Sequence, residues 1–229
     1  MTDETQKADS NSISVIEQSL MAFGIGMSLQ ARRDAKQSFR YASLRASKNF
    51  SSEGQTEQWF GEFLNAMSTY HWTIGKRSFE REHISSQSFT LQDVAFKVSK
   101  AAAQALIGGP IADAVEKLIG DALTGLGNIT EAQEIYKRNV KKKPSGTVGL
   151  GACTETSSGE VVMMLTAHSA SPSTNDLDTV VFDWKSSAED HYAGSAYLVH
   201  DADMYDLIRE QIKEELRNHS EQDMKDHPI

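Results

Sequence analysis

Apolar residues recur at helical spacing through the first half of the chain and alternate at strand spacing later on. Ile13, Ile16, Leu20, Phe23 and Met27 stand three and four apart, which predicts one helical face. Gly24 and Gly26 interrupt it, and Ala31, Ala35, Phe39, Ala42 and Ala46 resume the same period. After a loop over 50–55, Trp59, Phe60, Phe63, Leu64 and Met67 form a strongly apolar helical face. Trp72, Ile74 and Phe79 then fall in an extended stretch. Thr90-Leu91-Gln92-Asp93 resembles a capping box with a shortened acid, and Val94, Val98, Ala101, Ala105 and Leu106 follow on one helical face. Gly108-Gly109-Pro110 ends that helix and opens the next, whose apolar side is Ile111, Val115, Leu118, Ala122 and Leu126. Residues 129–140 read as a further helix.

The pattern changes at Pro144-Ser145-Gly146. Strands are predicted over 147–155, 160–168, 178–184 and 192–199, the first two joined by Ser158-Gly159 as a two-residue hairpin turn. One face carries Val148, Leu150, Ala152, Val161, Met163, Leu165, Ala167, Val180, Phe182 and Trp184; the opposite face is mixed, with Gly149, Gly151, Cys153, Met164, His168 and Asp183. Such alternation predicts an antiparallel sheet packed on one side. Asp201 or Asp203 caps a last helix with Met204, Ile208, Ile212 and Leu216 on its inner side. The expected fold class is α+β: an N-terminal helical portion packed on a four-stranded antiparallel meander and closed by a C-terminal helix. The expected organisation is a disordered tail over 1–11, a single domain over 12–218 (helical part 12–143, sheet part 146–200, closing helix 202–217) and a second tail over 219–229.

Composition narrows the function classes. At 229 residues with 39% hydrophobic content the chain is long enough, and apolar enough, to bury a sizeable core. Mean hydropathy is −0.45, and no uninterrupted apolar run reaches about 18 residues, which excludes an ordinary transmembrane helix. A single cysteine excludes an internal disulfide framework and a cysteine-rich zinc site. The net charge of −9 argues against a general nucleic-acid binder, whose phosphate contacts need clustered Lys and Arg. The polar, acidic first ten residues lack the basic start and apolar stretch of a secretory signal. The expected localisation is therefore cytoplasmic as synthesised, or exported without a cleaved signal peptide.

Cys153, His168 and Asp183 are the candidate catalytic set, as nucleophile, base and orienter on consecutive strands. The two-residue turn sets Cys153 against Met164 and His168 against Gly149. That offset separates Cys153 from His168 by roughly 13 Å at 3.3 Å per residue, against the ~3 Å that proton transfer needs. The simplest register thus disfavours the triad, and Cys153 reads better as a half-buried sheet residue. Neither His191 beside Glu189 and Asp190, nor His200 beside Asp201 and Asp203, has the spacing of a helical metal site, and no metal or other cofactor is expected. Gly149-x-Gly151 lies inside a predicted strand, so it is no dinucleotide fingerprint. Arg32, Arg33, Lys36, Arg40, Arg45 and Lys48 form a basic stripe opposed only by Asp34; it suits an anionic partner or the acidic C-terminal helix, and internal or solvated placement is the favoured reading.

The helical hairpin over 91–126 is the other suggestive feature. Its small residues and Gly-Gly-Pro turn would suit two helices that detach toward a bilayer, with Leu106, Ile107, Gly108, Gly109, Pro110 and Ile111 as the membrane- or partner-binding tip. Lys97, Lys100, Asp113, Glu116, Lys117 and Asp121 interrupt the apolar run, so each helix is amphipathic and ordinary core packing explains the pattern better.

Trp59-Phe60-x-x-Phe63, then Trp72, then Phe182-x-Trp184-x-Ser186-Ser187, and finally Tyr205-x-x-Ile208-Arg209 form a layout that resembles a group of uncharacterised microbial α+β proteins of similar length. The resemblance implies a fold and no activity. The function favoured on these grounds is a non-enzymatic bacterial binding or effector/toxin-like protein, possible membrane contact being through the 91–126 hairpin. The alternatives are a small hydrolase or ligand-binding protein using a pocket on the mixed sheet face, and a homo-oligomeric structural subunit. Expected partners are a protein or a membrane surface, or a second copy of the chain, with no nucleic acid.

Overall fold

In the computed structural model, which describes residues 7–17, 19–50, 55–82, 87–90, 100–101, 103–128, 134–135, 139, 146–173, 181–184 and 191–226, two strands replace the first expected helix. Ser12–Ile16 (β1) and Ser19–Phe23 (β2) pair antiparallel, from Ser12 opposite Phe23 to Ile16 opposite Ser19. Glu17 turns the corner at φ 53. Ile13, Val15 and Ile16 are β-branched and suit the pleat. β2 is buried along its whole length. A strand covered on both faces loses its alternation, so its apolar run imitated a helical period. Ahead of the hairpin, Lys7 pairs with Ser28 and the Ala8 N–H donates to the Met27 carbonyl at 3.0 Å.

Leu29–Asn49 (α1) begins where Ser28 Oγ accepts from the Ala31 N–H, and it buries Ala35, Phe39, Ala42 and Ala46 as the spacing predicts. Thr56–Thr69 (α2) packs Trp59, Phe60, Phe63, Leu64 and Met67 inward. His71, at φ 59, turns the chain from α2 into Trp72–Glu82 (β3). Gln87–Thr90 (β4) is a short strand that the hydrophobic pattern does not predict, and the rest of the expected capping box and most of the first hairpin helix lie outside the described residues. Gly109–Asn128 (α3) is the second helix of the hairpin, entered through Gly108 at φ +72 and Gly109 at φ +62. Gly146–Glu155 (β5), Val161–Ser173 (β6), Val181–Trp184 (β7) and His191–His200 (β8) follow, and Ala202–Asp206 (α4) and Arg209–Asp226 (α5) end the described chain.

The fold is α+β, but the sheet is larger than a four-stranded meander and is mixed. Eight strands join: the main ribbon runs β1-β2-β5-β6-β8-β3, and β7 and β4 extend from the far end of β6. β2 and β5 are parallel, with Leu20 opposite Leu150 and Phe23 opposite Cys153. The length of β6 explains the departure from a simple meander. Its residues 162–168 pair with β8 and its residues 171–173 pair with β7, so one strand serves two neighbours.

The hairpin register also differs by one residue from the expected one. Glu155 pairs with Val161, and 156–160 form the loop, with Gly159 at φ +86. The left-handed glycine adds a residue that a two-residue turn omits. A one-residue slip exchanges the faces. Met163, Leu165 and Ala167 therefore stand with Cys153, while Ala152 stands with Met164. Both faces are covered, not one. The first packs Phe23, Cys153, Met163, Leu165, Ala196 and Leu198 against Phe39, Phe60, Phe63 and Leu64 of α1 and α2 and against Ile212 and Leu216 of α5. The second packs Ala22, Ala152 and Met164 against Ala112, Val115, Leu118 and Ile119 of α3. Tyr205 takes the inner place expected for Met204, which is exposed, because the chain breaks between α4 and α5 and resets the helical phase.

Candidate functional site

The sheet separates the expected catalytic set. Cys153 opposes Met163 and faces the α1–α2 layer; His168 opposes Val148, five positions along, on the other face of the same ribbon. Both are 0% exposed. Burial pushes the Cys153 thiol well above its ordinary range, the nearby Arg32 charge opposing this only in part. Asp183 lies in β7, where its backbone opposes Ser88 and Ser171; its side chain is outside the described residues. The mixed sheet face that was to hold a pocket is divided by the register: Cys153 packs under α1 and α2, and Met164 packs under α3. A thiol held this way reacts only when the protein opens. Ellman's reagent is expected to modify native Cys153 at least about 1,000-fold more slowly than in the unfolded chain, because the open population sets the rate; a rate near that of a free thiol refutes this burial.

The basic stripe of α1 is divided between the interior and the surface. Arg32 is buried and donates to the carbonyls of Ser10 and Gly24 at 2.8 and 2.6 Å and to Ser12 Oγ at 2.8 Å, so it stitches the N-terminal strands to α1. Lys36 Nζ sits 5.2 Å from the centre of the Phe23 ring, and burial, then the Arg32 charge, lower its pKa. Arg40 and Arg45 pair with Glu17 and Glu62 at 3.5 and 2.7 Å. Arg33, Arg45 and Lys48 of the stripe are exposed.

Sequence reading missed the densest polar constellation, which gathers around Asp34. This residue is 2% exposed on α1, and its carboxylate accepts two hydrogen bonds from Arg209 of α5: Nε to Oδ1 at 2.9 Å and the Nη2 group to Oδ2 at 2.8 Å. Gln30 Nε2 also donates to Oδ1, at 2.8 Å. The Asp34 carbonyl accepts from Ser38 Oγ at 2.7 Å and from the Tyr205 hydroxyl at 3.3 Å, and Ser38 Oγ accepts from Trp72 Nε1 at 3.0 Å. His200 lies opposite Trp72 in the β3–β8 register, its ring 4.5 Å from the Trp72 ring and 5.0 Å from that of Tyr205. Burial pushes Tyr205 up to about 12 and His200 down to about 4. Asp201 caps α4 through a bond from the Met204 N–H at 3.1 Å, and its own N–H donates to the His71 carbonyl at 2.9 Å. Six elements thus meet at one point. The signal in the sequence was the lone acid within a basic stripe, 175 positions from the arginine of Tyr205-x-x-Ile208-Arg209.

The expected binding tip has mixed exposure. Leu106 is buried, Ile107, Gly108 and Ile111 are half-buried, and Gly109 and Pro110 are exposed. Lys100 reaches Glu116 at 2.6 Å and Gln104 reaches Asp113 at 3.0 Å, tying the two helices together outside their apolar side. Among the described residues no helix is long and apolar enough to cross a membrane, and no group of three or more His, Cys, Asp or Glu could hold a metal ion.

No protein-family model matches the sequence, and no curated protein matches it. Among solved structures, one described as the structure of the Evf virulence factor is similar with 10% identity, the alignment covering 91% of this chain and 82% of that one at a TM-score of 0.37.

Proposed function

We propose that the protein acts by binding, as an effector- or toxin-like protein, and that the hairpin turning at Gly108–Gly109 is the part that engages its partner. The observation that supports this reading is the separate footing of α3. Together with Ala103 and Leu106 of the preceding segment, it rests on the sheet through its own apolar cluster of mostly small and medium side chains, Ala112, Val115, Leu118 and Ile119 over Ala22, Ala152 and Met164. The aromatic core lies on the other side of the sheet. A layer with its own small core opens at a lower free energy than the global transition. Once open, an amphipathic helix of this kind offers its apolar side to a surface, lying in the interface rather than spanning it.

Hydrogen exchange together with vesicle flotation tests the reading. Amides of α3 are expected to exchange through a partial opening while α1, α2 and β6 stay protected, and the chain is expected to float with phosphatidylcholine vesicles. The Ile107→Asn/Ile111→Asn double variant is expected to lose flotation. Exchange of α3 only by global unfolding, without flotation, rejects the proposal.

A further inference from the structure

We propose that α4 and α5 form an acid-released strap: uptake of a proton by His200, in the closed site beneath Tyr205, frees this C-terminal segment from α1 and the sheet. This device lies on the opposite side of the sheet from α3, so it stands or falls independently of the hairpin reading.

The geometry leaves the His200 imidazole closed in and without a counter-charge of its own. It is 9% exposed, lies between the rings of Trp72 and Tyr205, and its Nε2 has no hydrogen-bond partner among the described residues. The charged and titratable groups around it come from every packed element: Asp34 of α1, His71 of the α2–β3 turn, Asp201 ahead of α4, Tyr205 of α4 and Arg209 of α5. Asp34 favours a proton on His200, but its carboxylate is already engaged by Arg209 and Gln30. Asp201 is exposed and spends one carboxylate oxygen on its cap, and Asp206 is held by Arg209. A second positive charge beside Arg209 in a site shut from water is relieved by opening that site.

The strap is also the element suited to open. Among the described residues its hold consists of Tyr205, Ile212, Leu216 and the half-buried Ile208 on the apolar side and the Arg209–Asp34 pair on the polar side. The rest of α5 over 209–220 is largely exposed, and Leu207, between the two helices, is 76% exposed.

The sign follows from linkage. Burial lowers His200 from 6.5 to about 4, so the closed state refuses a proton that the opened state accepts. Closure is at full strength above the opened-state value and weakens as pH falls toward the closed-state value. Across that window the opening constant rises by up to about tenfold per pH unit, to about 100-fold by pH 4, and approaches about 300-fold only well below it.

Hydrogen exchange of the full chain between pH 7 and pH 4, corrected for intrinsic rates, tests this. Protection of α5 is expected to fall by about 100-fold relative to β6, and His200→Gln is expected to flatten that dependence. Parallel loss of protection in α5 and β6, or an unchanged pH dependence in His200→Gln, overturns the proposal. If that variant does not fold, the imidazole titration of His200 in the wild-type chain decides: a midpoint near the ordinary histidine value overturns the proposal, and a strongly lowered one supports it.

Discussion

Replacing Arg209 with methionine is expected to lower the unfolding free energy by about 3–5 kcal/mol, the cost of stranding a buried charge. The methionine keeps the apolar stem and removes only the guanidinium, so the loss belongs to Asp34. That carboxylate is 2% exposed and takes both of its arginine hydrogen bonds from this one residue, with Gln30 alone left to serve it. The measurement is a urea midpoint with an unchanged m-value, which separates lost stability from a changed denatured state. The reverse truncation, Asp34→Leu, is expected to cost less, because Arg209 still meets Asp206 at the surface. Combining Asp34→Leu with Arg209→Met is expected to recover much of the single-variant loss, since an apolar pair replaces an ion pair at little cost when both charges leave together. A shift below about 1 kcal/mol for Arg209→Met, the range of an exposed pair, means that water reaches the carboxylate and that the six elements are not clamped at this point.

The helical elements of the aromatic core were legible because helix amphipathicity is local. Phe39 and Ala42 of α1, and Phe60, Phe63 and Leu64 of α2, each report the face of one helix, and a face is set by residues within a few turns. Strand identity was legible where alternation survives, as along β5 and β6. It failed at β2, where burial on both faces erased the period and left Leu20 and Phe23 at helix-like spacing. Register failed for a subtler reason. A single left-handed glycine, Gly159, lengthens the loop by one residue, and that slip moves every side chain of β6 to the face opposite the one assigned. The candidate triad shared a face only under that register, and the corrected one sets Cys153 and His168 on opposite faces as well as five positions apart along the ribbon. The Asp34 constellation was out of reach for a different reason: its members come from α1, the α2–β3 turn, β3, β8, α4 and α5, and pairing across 175 positions leaves no periodic trace.

Phe63→Ala and Leu118→Ala are expected to behave differently although both empty a well-buried site. Phe63 stands at the centre of the aromatic core, 5.0 Å edge-on from Phe39, 5.2 Å from Trp59 and 6.5 Å from Phe60, ring centre to ring centre. Deleting it removes contacts that join α1 to α2, and the cavity cannot collapse while three rings hold their rotamers, so the expected global loss is about 3–5 kcal/mol. Leu118 packs only within the α3 cluster. Its truncation carries a local cost of about 2–5 kcal/mol, and that cost is charged to the α3 layer first. Hydrogen exchange is then expected to show α3 amides losing protection by that amount while α1, α2 and β6 keep theirs; Phe63→Ala is expected to lower protection in all of them together. If Leu118→Ala instead lowers the protection of β6 and α2 as much as that of α3, the two faces of the sheet unfold as one unit. In that case α3 has no independent opening to offer a partner, and the binding reading loses its support.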